Sequence, residues 1–350
     1  MMTKNEQPKD SHIFLPEIQQ KARTVLDSLI PNDADIILLD YPNTTNVGDS
    51  LIWLGEIAYL KSRKLKISYV CDVDNYNLAS VKKVLNKKSV VLMHGGGNFG
   101  TVWKTIHAFR LKVLSDLPNI PIIQLPQTIY FEDESEVDVM SEAIKAQGNY
   151  TLLARSQPSY EFAKKSFATP VYLCPDMAFF IGHIHRQVEK VDRYVLARTD
   201  IESSGELDKY TVSINKNLTY EVDDWLEPTL LEKLLYKVEM CSTLLRKWFD
   251  PDNQYLLLLW NYLSLQRLKR GVRMLSRGRF VVTDRLHAHV LSILLNKPNV
   301  LIDNNYGKLK VFYNTWTFDY GYAKLANNSD SIELAINELT VLPVNENAVK

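Results

Sequence analysis

Short apolar runs, each followed by a longer segment with helical spacing, recur along almost the whole chain. DIILLD (35–40), KISYVC (66–71), SVVLMH (89–94), PIIQL (121–125), YTLLAR (150–155) and PVYLC (170–174) read as strands. SLIWLGEIAYLKSRK (50–64) and EVDVMSEAIKAQG (136–148) read as intervening helices. The runs do not alternate polar with apolar, so both faces of each strand must be covered. A strand–helix rhythm with doubly covered strands predicts parallel sheets. A second set, DRYVLAR (192–198), TVSIN (211–215), RFVVTD (279–284) and NVLID (299–303), brackets a long helical region at about 226–276. The expected fold class is α/β, with two Rossmann-like domains facing a cleft. A flexible segment (1–20) is expected first. A first domain (21–188), a second (189–325) and a C-terminal helix and tail (326–350) follow, with the domains joined near 182–192.

The chain has 350 residues, too many for one ordinary core, and 41 basic residues balance 41 acidic ones. That balance argues against bulk binding to nucleic acid. Cys71, Cys174 and Cys241 are scattered and odd in number, which suggests a reduced cytosolic chain with no disulfide framework. The polar N-terminus resembles no signal peptide, and no apolar run approaches the roughly 20 residues that span a bilayer.

In such sheets ligands sit beyond the carboxyl ends of the strands. After 35–40 comes NVGD, where Asn46 and Asp49 are candidates for cleft contacts or a base, beside the alternative of a loop and helix cap. After 89–94 comes HGGGNFG. His94 is expected in the cleft, with Gly95, Gly96, Gly97 and Asn98 presenting backbone N–H groups to an oxygen-rich ligand. The His-Gly-Gly-Gly run resembles a hydrolase oxyanion loop, but no G-x-S-x-G elbow accompanies it. Gln127, Arg155 and Asp176 occupy the next strand ends. In the second set Arg198 and Asp200 end one strand, and TDRLHAH (283–289) ends another. If Asp284 caps the helix there, Arg285 faces the positive end of the helix dipole, a conflict that a bound anion resolves. Arg198, Arg285 and His287 then form an anion pocket, with His289 four residues from Arg285 on the same helical face.

N46-V-G-D49, H94-G-G-G-N-F-G100, L125-P-Q127, A154-R-S156, C174-P-D176, R198-T-D200 and T283-D-R-L-H287 together resemble the polysaccharide pyruvyl transferases, in order and spacing, from about residue 35 to about 320. The resemblance implies a fold like that of B-type glycosyltransferases, with phosphoenolpyruvate as co-substrate and no other cofactor. Arg198, Arg285, His287 and His289 are then the donor side, and a saccharide, lipid-linked in many family members, is the acceptor. The implied product is a cyclic pyruvate ketal on two sugar hydroxyls. His287 suits phosphate contact or acid work, and Asp49 or His94 the acceptor side. No metal motif is present.

Two rivals remain at this level. One is a glycosyltransferase of the same architecture using a nucleotide sugar, for which the second domain offers no convincing ribose-binding acid. The other is a catalytically silent binding protein. The segment 266–279 is basic and follows an apolar run. It reads either as a helix with a solvated basic face or as a contact with anionic lipid on the inner face of the plasma membrane.

Overall fold

The computed structural model describes residues 9–199, 203–249, 253–303 and 307–340. Asp200 lies outside them. Two parallel sheets carry the fold. The strands of the first are β1 (Asp35–Leu39), β2 (Lys66–Cys71), β3 (Ser89–Met93), β4 (Gly96–Gly100), β5 (Ile122–Tyr130), β6 (Tyr150–Ala154) and β7 (Val171–Leu173). Their order is β2-β1-β3-β5-β6-β7, with β4 paired to β5. The second sheet contains β8 (Val191–Leu196), β9 (Tyr220–Asp223), β10 (Gly278–Thr283), β11 (Asn299–Ile302) and β12 (Ala323–Ala326), in the order β12-β11-β10-β8-β9.

The doubly covered strands are as the sequence predicts. Along β1, Ile36 and Leu38 enter one core while Ile37 and Leu39 enter another. Along β10, Val281 and its neighbours Phe280 and Val282 likewise divide between two cores.

Several expectations are corrected. Residues 211–213 end the helix Glu206–Ser213 and Ile214 is its C-cap, so 211–215 forms no strand. Leu207, Tyr210 and Ile214 fall on one buried face, and that packing overrides the β-branched composition. Two edge strands, β9 and β12, leave no apolar run in the sequence because they are short and carry polar residues. The glycine run is no open loop: Gly96–Gly100 is itself a strand on β5. Residues 11–20 are not a flexible leader but most of the helix Ser11–Leu29, capped by Asp10. Its Phe14, Leu15 and Ile18 are buried in the core of the second domain, and its Ala22 and Leu26 in that of the first. The helix Ile332–Thr340 is no appendage, because Ile332, Ala335, Ile336 and Leu339 cover the second sheet.

The two halves share their cores. In the helix Val47–Ser62, Val47 and Leu51 join the core of the second half, and Ile52, Trp53 and Ile57 that of the first. The helix Gln254–Ser276, which the sequence assigns to the second domain, sends Leu256, Leu259, Trp260 and Leu263 into the first. Trp260 stacks on Tyr41 with 4.3 Å between ring centroids.

The basic run 266–279 does not form a continuous basic face. Arg267 turns inward to the Tyr41 hydroxyl at 3.1 Å, and Arg270 is buried against Glu232 at 2.7 Å. Arg277 pairs with Glu221. Among the described residues no helix is long and apolar enough to cross a membrane.

Helix Val47–Ser62 meets the turn Met177–Ile181 at Gly55, where a Cβ would stand 1.9 Å from the Met177 carbonyl oxygen. Backbone cannot yield there as a side chain could. Gly55→Ala is expected to destabilise the fold by about 3 kcal/mol or more, read as a lowered midpoint in urea unfolding.

Candidate active site

The carboxyl ends of both sheets open on one cavity of about 600 Å³. Asn46, Asp49, His94, Gly95, Gly96, Gly97, Asn98 and Arg155 line it from the first domain, and Arg198, Arg285 and His287 from the second. These are eleven of the sequence-derived candidates, converging from segments up to about 240 residues apart.

On the second-domain wall, β10 ends at Thr283, whose hydroxyl donates to the Leu196 carbonyl at 2.8 Å and accepts from the Arg285 N–H at 3.0 Å. Asp284 does not cap the next helix, as expected, but accepts the Arg198 N–H at 2.9 Å. Burial pushes its carboxyl up to about 6, against the opposing pull of Arg198 and Arg285. Arg285 itself occupies the cap position of the helix Leu286–Leu294 and makes no side-chain cap bond. Its guanidinium donates to Asp224 at 2.7 Å.

His287 lies in the first turn of this helix and crosses to the first domain, 3.3 Å from Asp176. Asp176 also accepts from Arg155 at 2.8 Å and from the Ala178 N–H at 2.9 Å. Burial works to raise its pKa, yet His287, then Arg155 and the Ala178 N–H, hold the carboxyl well below the usual range. Asp176 is thus a fixed anion that joins the two walls. A glycine makes room for the imidazole, since a Cβ on Gly48 would lie 2.8 Å from His287 Nδ1.

On the opposite wall, Asn46 caps the helix Val47–Ser62 through the Gly48 N–H, and Asp49 accepts from Thr44 at 3.0 Å. His94 is buried and its Nδ1 lies 3.0 Å from Glu56. Burial works to lower its pKa, but Glu56, with Asp40 and Asp49 nearby, leaves it raised. The second Glu56 oxygen takes the Gly95 N–H at 2.9 Å.

Three candidates are corrected. Asp176, expected at the cleft, is buried behind its wall, where it holds Arg155 and His287. Gln127 does not line the cavity. β5 continues past a shift in register, so Gln127 sits inside the strand. There its amide donates to the His94 carbonyl and the Asn98 side chain and accepts the Asn98 N–H, which braces the glycine run. With the Gly95 and Asn98 N–H groups bonded internally, the run does not offer an uninterrupted row of donors. His289 is wholly buried on the far side of its helix, with its ring nitrogens 2.8 Å from Asn299 and from Thr317. Burial lowers it to about 4, so it is a neutral core residue and not a donor contact.

The sequence reading missed Glu56, Asp40, Asp72, Asp74, Trp225 and Lys308. Asp40 and Asp72 follow β1 and β2, so the rule that found the other strand ends applies equally to them. Glu56 had no such signal, because it acts from inside a helix.

Two parallel sheets closing on a cation-lined cleft define a two-domain α/β fold of the Rossmann type. The fold is shared with a crystal structure of KP1_0663 from Klebsiella pneumoniae, at a TM-score of 0.57 and 17% identity, over 89% of this chain and 98% of that one. The model of the polysaccharide pyruvyl transferase family matches residues 46–306. EpsO of Bacillus subtilis is 30% identical, over 88% of this chain and 92% of its own. Pyruvyl transferase 1 of Schizosaccharomyces pombe is 29% identical, over 87% and 75%. The chain belongs to the polysaccharide pyruvyl transferase family and is a pyruvyltransferase.

Asp40 has φ of 70°, and its Oδ2 has no hydrogen-bond partner among the described residues. Burial pushes its carboxyl up to about 6, with Arg110 and His94 opposing and Glu56 and Asp72 adding to the rise. A folded-state pKa above the ordinary value means that folding favours the protonated acid. That contribution is complete below about pH 4 and is lost as pH rises through about 6. Asp40→Asn should therefore exceed wild type in unfolding free energy at pH 8 by about 1–3 kcal/mol, with the gap closing by pH 4 in paired urea titrations.

Proposed function

We propose that the donor is phosphoenolpyruvate and that the product is a cyclic pyruvate ketal on two hydroxyls of one sugar. The observation that carries this reading is the convergence of Arg198, Arg285 and His287 on one wall of the cavity, at the uncapped start of a helix. A phosphate there meets cationic side chains and the positive end of the helix dipole. Arg155, on the facing wall, supplies a further cation. The polar first-domain wall, with Asn46, Asp49 and Asn98, suits a polyhydroxyl acceptor.

The chemistry needs a proton delivered to the methylene carbon, which leaves C2 with oxocarbenium character. One sugar hydroxyl attacks C2, the C2–O bond to phosphate breaks, and a second hydroxyl closes the ketal. The two hydroxyl protons balance the reaction: one equivalent is taken up in the new methyl group and the other leaves with phosphate. In this reading His287 serves the phosphate or acts as the acid, which its 3.3 Å contact with Asp176 supports. Asp49 and His94 remain the two candidates for the base on the acceptor side. Glu56 anchors His94 at the cavity wall.

A thermal-stability titration with phosphoenolpyruvate tests the donor. At a hundredfold excess over Kd the ligand should add about 2.7 kcal/mol of stability. That shift should disappear in Arg285→Ala, scored against the variant's own baseline because Asp224 loses its partner. Stabilisation by a nucleotide sugar and not by phosphoenolpyruvate would overturn the reading. Gly48→Ala should displace His287 and lower kcat about tenfold or more while KM for the acceptor changes little. Asp49→Asn with nearly unchanged turnover would remove Asp49 as the base.

A further inference from the structure

The helix Leu230–Phe249 is built inside out over its described side chains, residues 230–240. Its glutamates face inward: Glu232 pairs with Arg270, and Glu239 accepts from the Trp260 indole at 2.7 Å and from Asn43 at 3.1 Å. Large apolar residues face outward, with Leu230 85%, Leu234 58% and Met240 59% exposed, while Leu235 packs on the first core. The helix packed against it, Gln254–Ser276, presents a second outward stripe. Tyr255, Leu258, Tyr262 and Leu265 are all exposed and recur at helical spacing, with Leu258 at 70%. An exposed apolar surface of this extent, on both of two packed helices, marks an interaction site.

Charge decides the occupant. Across the whole chain acidic and basic residues balance at 41 each. Yet the exposed charged side chains described on these two helices are Lys233, Lys237, Lys269 and Arg273, all cationic, while Glu232 and Glu239 are buried. A second copy of the chain docked about a two-fold axis would bring the same cations face to face. An anionic bilayer satisfies both halves of the surface: its acyl region receives the leucines, and its headgroups receive the lysines and arginine. Tyrosines on such a face suit the level of the headgroups.

We infer that this helical pair is a monotopic docking surface for anionic lipid. Of the basic run 266–279 it takes in only the exposed Lys269 and Arg273, since Arg267 and Arg270 are turned inward. The root of the pair touches the cleft. Asn43 bonds Glu239 and the Thr45 carbonyl accepts from Arg270, and Asn43 and Thr45 both line the cavity. A docked molecule would therefore hold that wall of its active site close to the membrane. This assignment does not depend on which donor the site uses.

The test is flotation of the full chain with vesicles of phosphatidylcholine, alone or mixed with phosphatidylglycerol. Binding is expected with the anionic mixture only, and it should weaken with salt. The double variant Leu234→Ser, Leu258→Ser should lose affinity about tenfold or more, with unchanged Tm, because both side chains are already in water. Lys269→Gln with Arg273→Gln should lose about tenfold at low salt. Absence of binding to the anionic vesicles, or equal binding by the leucine variant, overturns the assignment. So does a solution dimer that the leucine variant dissociates, which would give the surface to a second copy.

Discussion

The helix Val47–Ser62 is the constraint on which the rest of the molecule depends. It begins in one hydrophobic core and ends in another, and Gly55 lets it lie directly on the Met177 backbone. Its first turn delivers Asn46 and Asp49 to the cavity and leaves room, at Gly48, for the imidazole of the opposite domain. One element therefore sets the spacing of the two sheets and the shape of the cleft together. The same helix holds Glu56, which reaches out to His94 and Gly95.

Electrostatics in the cleft follows from that geometry. The site combines cations with carboxylates whose environments differ sharply. Asp176 keeps its charge because His287 and Arg155 outweigh the cost of burial. Asp284 and Asp40, with weaker compensation, are pushed up to about 6. Carboxyl groups with such divided pKa values suit a reaction in which protons are both given and received. A cleft of this kind matches an enzyme that moves a pyruvyl group onto a polysaccharide, the activity that defines the family.

Much of this was legible in the sequence because parallel strands leave a strong signature. Doubly buried β1, β3 and β10 read as continuous apolar runs, and the polar residues after them mark the cleft. The cavity thus contains His94, Arg155, Arg198, Arg285 and His287. What failed was information that lies across the fold. The burial of His289 depends on Asn299 and Thr317, and the role of Gln127 on a shift of register within β5. Neither is visible along the chain. The basic run divides for the same reason: Lys269 and Arg273 are exposed, but Arg270 looks exposed only until Glu232 is placed beside it.

The shared core has an evolutionary consequence. Where two halves meet only across a solvent-filled cleft, one half can be exchanged without disturbing the interior of the other. Here a crossover at the sheet boundary would separate Phe14 and Leu51 from their partners in the second core and Trp260 from Tyr41 in the first. Hybrid offspring would inherit mismatched interiors. A change in one half is therefore tolerated only where it spares the residues that the other half packs against.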